Sequence, residues 1–170
     1  RQMCIRDRRW VEPSAADSNE QLVRRHLLQN RAAAALFVSL KNAAATAKEG
    51  EAECERGLQK LPLPFTIVIL GLGHDGHTAS LFLCAAQLAA ATDMSSKKRC
   101  MAVMPQTAPH ERMTLTLPTL CKSKEIILHI TGPDKKSVLD KALLDGPLEA
   151  MPIRCILAQE TVPVTAYWAA

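Results

Sequence analysis

The chain has 170 residues, and 21 lysines and arginines against 17 aspartates and glutamates give it a formal net charge of +4. Apolar residues make up 48% of the chain and charged residues 22%, a balance that excludes a disordered tail or a collagen-like fibre. The length predicts a single domain covering residues 1–170. Because no apolar run approaches the ~20 residues that span a bilayer, no membrane partner is predicted.

Aromatic residues make up only 4% of the chain, and its basic residues are scattered. Since nucleic-acid recognition depends on clustered cations and stacking rings, no nucleic-acid partner is predicted. The six cysteines include no CxxC pair, so no metal site is predicted. No signal peptide opens the chain, which favours a cytoplasmic location with reduced thiols. The sequence leaves the oligomeric state open.

Short apolar runs alternate with longer helical patterns along the chain. In chain order, the patterns predict a helix at 21–28, a helix at 42–60, a strand at 65–70, a helical segment from about residue 78, strands at 100–104, 113–117 and 125–130, helices at 133–144 and 151–159, and a strand at 162–168. The continuous apolar run at 65–70 is typical of a strand buried on both faces. This order predicts an α/β fold with three αβα layers and a mostly parallel, Rossmann-like sheet.

A glycine-rich loop follows the strand at 65–70. Gly71, Gly73 and Gly76 satisfy the GxGxxG pattern of dinucleotide-binding folds. That pattern also requires an acidic residue at the end of a second strand, about 20 positions on. Asp93 has the right spacing, but the residues before it read as helical or irregular. Dinucleotide binding is therefore a minor alternative.

The loop also contains Asp75 and His77, two residues apart. A carboxylate beside an imidazole fixes its tautomer and raises its basicity, which suits the ring to general-base catalysis. The spacing is equally compatible with a structural role, in which His77 caps a helix beginning at Thr78 and Asp75 accepts hydrogen bonds from loop amides. The spacing alone does not separate these two interpretations.

The segment LGLGHDGHTASLF at residues 70–82 closely resembles the signature loop of the 6-phosphogluconolactonase family, within the glucosamine-6-phosphate isomerase/6-phosphogluconolactonase superfamily. Further segments resemble the family's motifs in the same order: WVEP at 10–13, DSNE at 17–20, ERMTLT at 111–116, TGPDK at 131–135 and PVTAYWA at 163–169. Family members open with a further strand and a phosphate-binding loop, so the resemblance implies an N-terminally truncated member. Residues 1–8 resemble translated sequencing-adapter sequence, and we expect genuine sequence to begin near Arg9.

The resemblance implies hydrolysis of 6-phospho-D-glucono-1,5-lactone to 6-phospho-D-gluconate in the oxidative pentose phosphate pathway, without a metal or redox cofactor. It makes His77 the general base and Asp75 the residue that orients it. The substrate-binding residues that it implies are Arg9, Gly71, Gly73, Gly76, Arg112 and Lys135.

Two alternatives accompany this hypothesis. A sugar-phosphate isomerase or deaminase of the same superfamily uses a further acidic residue shortly after the loop, whereas residues 78–87 contain no aspartate or glutamate. A non-catalytic phosphosugar-binding remnant would keep the cleft without the activity.

Overall fold

The computed structural model describes residues 2–4, 7–106 and 108–170, and describes side chains from Arg9 onward. Within these residues the strands are β1 (Gln2–Cys4), β2 (Asp7–Arg9), β3 (Leu36–Val38), β4 (Val68–Leu70), β5 (Cys100–Val103), β6 (Arg112–Leu115), β7 (Ile126–Thr131) and β8 (Val164–Ala169). The helices are α1 (Asn19–His26), α2 (Ala47–Gln59), α3 (Leu88–Thr92), α4 (Leu117–Leu120), α5 (Pro133–Ala142) and α6 (Arg154–Leu157). The interpretation of residues 1–8 as foreign sequence falls partly outside the described residues and stays a prediction.

The strands form three sheets. Strands β4, β7 and β8 pair in parallel in that order, and β1 pairs in parallel with β3. The predicted α/β class with parallel pairing is confirmed. Strands β2, β6 and β5 form a separate antiparallel sheet, which the sequence did not indicate. Its geometry follows from the short connection between β5 and β6, because parallel neighbours need a crossover of a dozen or more residues.

The two faces of the parallel sheet differ in burial. Val68 and Leu70 of β4 lie in the main core, with Ile126 and Leu128 of β7 beside them. On the opposite face Ile69 is 56% exposed. The prediction that the run at 65–70 is buried on both faces is therefore wrong for this structure, in which one face of β4 contributes to the core and the other is exposed.

Helix ends follow the local sequence. The Ser18 hydroxyl accepts a hydrogen bond from the Gln21 N–H, as expected of the N-cap of α1. Helix α2 begins later than predicted, where Thr46 and Glu49 form a capping box. The helical segment predicted from residue 78 is absent, since residues 78–87 form turns. Ala79 has a φ of 49°, a left-handed conformation that cannot continue a right-handed helix.

Helix α2 is fixed to β5 by a buried carboxylate. Glu51, only 9% exposed, accepts hydrogen bonds from the Lys98 ammonium at 2.6 Å and from the Ala102 N–H at 3.0 Å. Burial raises the pKa of the Glu51 carboxyl, but the hydrogen bonds and the Lys98 charge together bring it below its usual value. Glu51 therefore contributes to stability in its ionised form.

Candidate active site

The glycine-rich loop lies at the carboxyl end of β4, where parallel sheets commonly place ligand sites. The Gly73 N–H donates to the His77 carbonyl at 2.8 Å, and the Gly76 N–H donates to the Gly73 carbonyl at 3.1 Å. Gly76 has a φ of 79°, which favours glycine because it lacks a Cβ. These bonds close a tight turn that brings the side chains of Asp75 and His77 into contact.

Asp75 and His77 form a direct hydrogen bond. The Nδ1 atom of His77 lies 2.5 Å from Oδ1 of Asp75, which also accepts from the His77 backbone N–H at 3.2 Å. Burial raises the pKa of the Asp75 carboxyl, while the hydrogen bonds and charge of His77 produce a net lowering. An ionised carboxylate can only accept, so Nδ1 carries the proton and Nε2 is the basic nitrogen of the neutral ring.

Because Gly73 has no side chain, there is room beside it for the Asp75–His77 pair. A Cβ atom at Gly73 would overlap Nδ1 and Cε1 of the His77 ring and would lie 2.6 Å from Oδ1 of Asp75. Any side chain at this position would therefore displace the histidine or the aspartate. The absence of a helix at Thr78 also removes the alternative in which His77 caps a helix.

A cavity of about 400 Å³ opens beside the loop, within the range of small-molecule sites. Of the residues predicted to bind substrate or act on it, Arg9, Gly71, Gly73, His77, Arg112 and Lys135 line it. Asp75 does not line the cavity itself but hydrogen-bonds to His77, which does. Gly76 is buried behind the loop against Met151 and does not belong to the lining.

Two arginines of the cavity are neighbours across a strand pair. Arg9 ends β2 and Arg112 begins β6, and their Cα atoms are partners in the antiparallel register. Arg112 is only 8% exposed, whereas Arg9 is about one third exposed and donates to the Asp17 carbonyl. Like charges in this arrangement repel each other. The Asp17 carboxylate, 3.7 Å from Arg9 Nη1, offsets part of this repulsion, and an anion bound between the two guanidinium groups would offset more of it.

Lys135 and Asn19, which both line the cavity, each lie at the N-terminal end of a helix. Lys135 lies in the first turn of α5, directly after β7, and Asn19 is the first residue of α1. Since β4 and β7 are parallel neighbours, their carboxyl ends place the loop and Lys135 at one edge of the sheet. Helix N-termini attract anions through their free N–H groups. Among the described residues, no acidic side chain lines the cavity.

The sequence did not single out several lining residues, namely Asn19, Leu72, His74, Thr78, Ala79, Phe82 and Ala108. The Phe82 ring lies against both His77 and Arg112. A phenylalanine within an apolar stretch does not by itself indicate a place in the site, although Phe82 is the last residue of the segment at 70–82 that resembles the family's signature loop. Asn19 was visible as part of the DSNE segment.

The dinucleotide alternative is not supported. Asp93 follows helix α3 rather than a strand, and its carboxylate accepts from the backbone and side chain of Ser95. Asp93 also does not belong to the cavity lining. Across the described residues, no cluster of three or more His, Cys, Asp or Glu side chains is arranged to hold a metal ion. Nor does that part of the chain contain a helix long and apolar enough to cross a membrane.

A histidine–aspartate pair at the carboxyl edge of a parallel sheet, beside a cavity lined by three cationic side chains, is typical of an α/β protein with a site for a small anionic molecule. The pattern of the family described as glucosamine-6-phosphate isomerases/6-phosphogluconolactonase matches residues 2–168. The chain belongs to this family.

Relatives and solved structures agree with this assignment. A 6-phosphogluconolactonase from Pseudomonas aeruginosa is 40% identical over 164 residues, covering 96% of this chain and 68% of the relative. A 6-phosphogluconolactonase from Mesorhizobium japonicum is also 40% identical, over 163 residues. The crystal structure of a 6-phosphogluconolactonase from Shewanella baltica superposes with a TM-score of 0.96 at 46% identity, covering 99% of this chain and 72% of that one. The chain thus spans about two thirds of the length of the curated relatives that it matches.

Proposed function

We propose that this chain hydrolyses 6-phospho-D-glucono-1,5-lactone to 6-phospho-D-gluconate, as a cytoplasmic enzyme of the oxidative pentose phosphate pathway. The observation that carries the proposal is the His77 ring, held through Nδ1 by Asp75 while it lines a cavity with three cationic side chains. The family relatives named 6-phosphogluconolactonase support the same reaction.

The cationic wall suits the phosphate of the substrate. Arg9 and Arg112 are cross-strand neighbours, so an anion between them relieves their repulsion and can accept paired N–H donors from a guanidinium. Lys135 adds a third charge at the N-terminus of α5. We assign phosphate binding to these three residues.

His77 performs the proton transfers in this proposal. Nε2 accepts a proton from a water molecule as the water oxygen forms a bond to the lactone carbonyl carbon. When the tetrahedral intermediate breaks its bond between that carbon and the ring oxygen, the imidazolium returns the proton to the departing oxygen. The Asp75 carboxylate, whose pKa is lowered in the folded protein, stays ionised and stabilises the imidazolium. No electron is transferred, so the reaction needs no redox cofactor.

The size of the site also fits this substrate. The Arg112 guanidinium carbon lies 5.5 Å from the centroid of the Phe82 ring, and the His77 ring centroid lies 4.3 Å from the same point. The base and the guanidinium are therefore at most about 10 Å apart. A hexose phosphate carries its phosphate at the opposite end from the C1 carbonyl, so one molecule can reach both groups.

The test is hydrolysis of freshly prepared 6-phosphogluconolactone, followed by ³¹P NMR against the uncatalysed rate. We expect His77→Ala to lower kcat by roughly 10²–10⁴-fold. His129→Ala is the matched control, because His129 lies on β7 and is exposed away from the cavity. It should keep full activity.

The same preparations separate the alternatives. Release of ammonia from glucosamine 6-phosphate, without lactone hydrolysis, would identify a deaminase. If the folded chain accelerates neither reaction but binds 6-phosphogluconate, it is a phosphosugar-binding protein, and the proposed catalytic roles of His77 and Asp75 are wrong.

A further inference from the structure

Phe82 contacts two functional groups of the cavity with one ring. Its ring centroid lies 4.3 Å from that of His77, with 30° between the ring planes, and the Arg112 guanidinium carbon lies over the ring at 5.5 Å. Phe82 is only 4% exposed, yet it belongs to the cavity lining. A single buried side chain therefore contacts both the proposed base and a proposed phosphate ligand.

The chemistry of an aromatic ring suits this position. The face of the ring carries negative electrostatic potential and attracts a guanidinium, while aromatic rings stack favourably at this centroid distance. The negative potential of the ring faces is also favourable for His77 when the imidazole becomes a cation during proton transfer. An aliphatic side chain of similar volume fills the space but supplies neither interaction.

The Phe82 ring also packs against apolar neighbours. Phe82 packs with Ala85, Val103 and Ala108 in a small apolar cluster separate from the main core. Val103 ends β5, and Ala108 lies in the connection from β5 to β6. The antiparallel sheet and its β5–β6 connection thus pack against the ring that contacts both His77 and Arg112.

We propose that Phe82 is a positioning residue that sets the separation between His77 and Arg112, and so favours lactones that carry a terminal phosphate over lactones that do not. This inference rests on the proposed function for its kinetic part. Its structural part, the dependence of both contacts on one ring, is independent of the reaction.

The test compares Phe82→Leu with Val103→Ala. Leucine keeps an apolar side chain in the cluster but removes the ring, whereas Val103→Ala weakens the same cluster and leaves the ring in place. With Phe82→Leu, we expect kcat/KM for 6-phosphogluconolactone to fall about 10-fold, and kcat/KM for unphosphorylated gluconolactone to fall less. Val103→Ala should lower the melting temperature without changing the ratio of these two values.

Two readouts do not need activity. Protons of His77 that lie over the Phe82 face are shielded, so their NMR signals, assigned by comparison with His77→Ala, should move downfield in Phe82→Leu and stay in place in Val103→Ala. Inorganic phosphate, titrated as the probe, should bind more weakly to Phe82→Leu than to the parent chain.

The outcomes separate the two proposals. If the parent chain hydrolyses no lactone, the proposed function fails, and the NMR and phosphate titrations still decide whether Phe82 positions His77 and Arg112. If His77 signals and phosphate affinity are unchanged in Phe82→Leu, the positioning role is refuted. The same conclusion follows if both variants alter the ratio of the two lactones equally.

Discussion

Replacing Gly73 by alanine tests whether the close approach of the loop backbone to His77 is needed for activity. The added Cβ would overlap two atoms of the imidazole and lie 2.6 Å from Oδ1 of Asp75. Ordinary contact between such atoms is about 3.5–4.0 Å, so the ring has to move by at least about 1 Å. The ring is 30% exposed and can rotate outward, so we expect the variant to fold.

The expected loss is large because catalysis depends on this geometry. A displacement of about 1 Å can lower a rate about 10²-fold, and the rotated ring also loses its hydrogen bond to Asp75. We therefore expect Gly73→Ala to lower kcat for 6-phosphogluconolactone about 100-fold or more. KM should change little, since the three cations stay in place. The assay is initial-rate hydrolysis followed by ³¹P NMR, beside thermal unfolding of each variant.

Gly57→Ala is the matched control. Gly57 lies in α2, and among the described residues no atom outside its own helix and chain neighbours lies within 4 Å of an added Cβ. Alanine in a helix is favoured over glycine by about 0.5–1 kcal/mol, so this variant should be slightly more stable and fully active. A Gly73→Ala variant with the kcat of the parent chain would refute the argument that glycine is required beside His77.

Three other changes test separate parts of the structure. Lys135→Ala should raise KM for the lactone by roughly 10–100-fold, because it loses a charged hydrogen bond that contributes about 1.5–3 kcal/mol. Lys136 pairs with a carboxylate of its own helix, so Lys136→Ala should leave KM unchanged. Equal KM values for the two variants would show that Lys135 does not bind the phosphate. Glu51→Gln should lower the free energy of unfolding by about 1–3 kcal/mol at pH 7. Because the folded-state pKa of Glu51 is lowered, this difference in unfolding free energy is complete above the ordinary pKa of 4.5 and should disappear as the pH falls through the folded-state value. Urea titrations at pH 7 and pH 3 measure it. A difference that is the same at both pH values would contradict the Lys98 pairing. Ile69 is exposed on the open face of β4, and we expect this apolar surface to cause self-association of the chain. Ile69→Lys should then reduce association in sedimentation velocity without lowering the melting temperature. A monomeric parent chain, or unchanged association in the variant, would refute this expectation.

Local sequence patterns predicted most elements of this fold. The segments that became β4, β7 and β8 were visible because runs of β-branched, aromatic and other apolar residues favour strands, even though Ile69 of β4 and Trp168 of β8 are about half exposed. The start of α5 was visible from Pro133, which is favoured in the first turn of a helix. The antiparallel sheet was not predictable, since pairing of β2 with β6 joins segments about 100 residues apart and depends on tertiary contacts.

The region after the loop shows where local patterns fail. Residues 78–87 are apolar enough to read as helical, but Ala79 adopts a left-handed backbone conformation and the Thr78 hydroxyl donates to the Gly71 carbonyl. These tertiary constraints override helix propensity. In the candidate site, the resemblance supplied Arg112 and Lys135, whereas the contact of Phe82 with His77 and Arg112 became visible only in three dimensions.

A backbone hydrogen bond at Gly76 ties the glycine-rich loop to the core. The Gly76 carbonyl accepts from the N–H of Ile153, a fully buried residue just before α6. Opening the loop would break this bond and disturb Ile153 in the core, so the bond opposes opening of the loop. The loop that carries His77 is thus a wall of the cavity that is anchored in the core, whereas the cationic side chains of Arg9 and Lys135 are partly exposed.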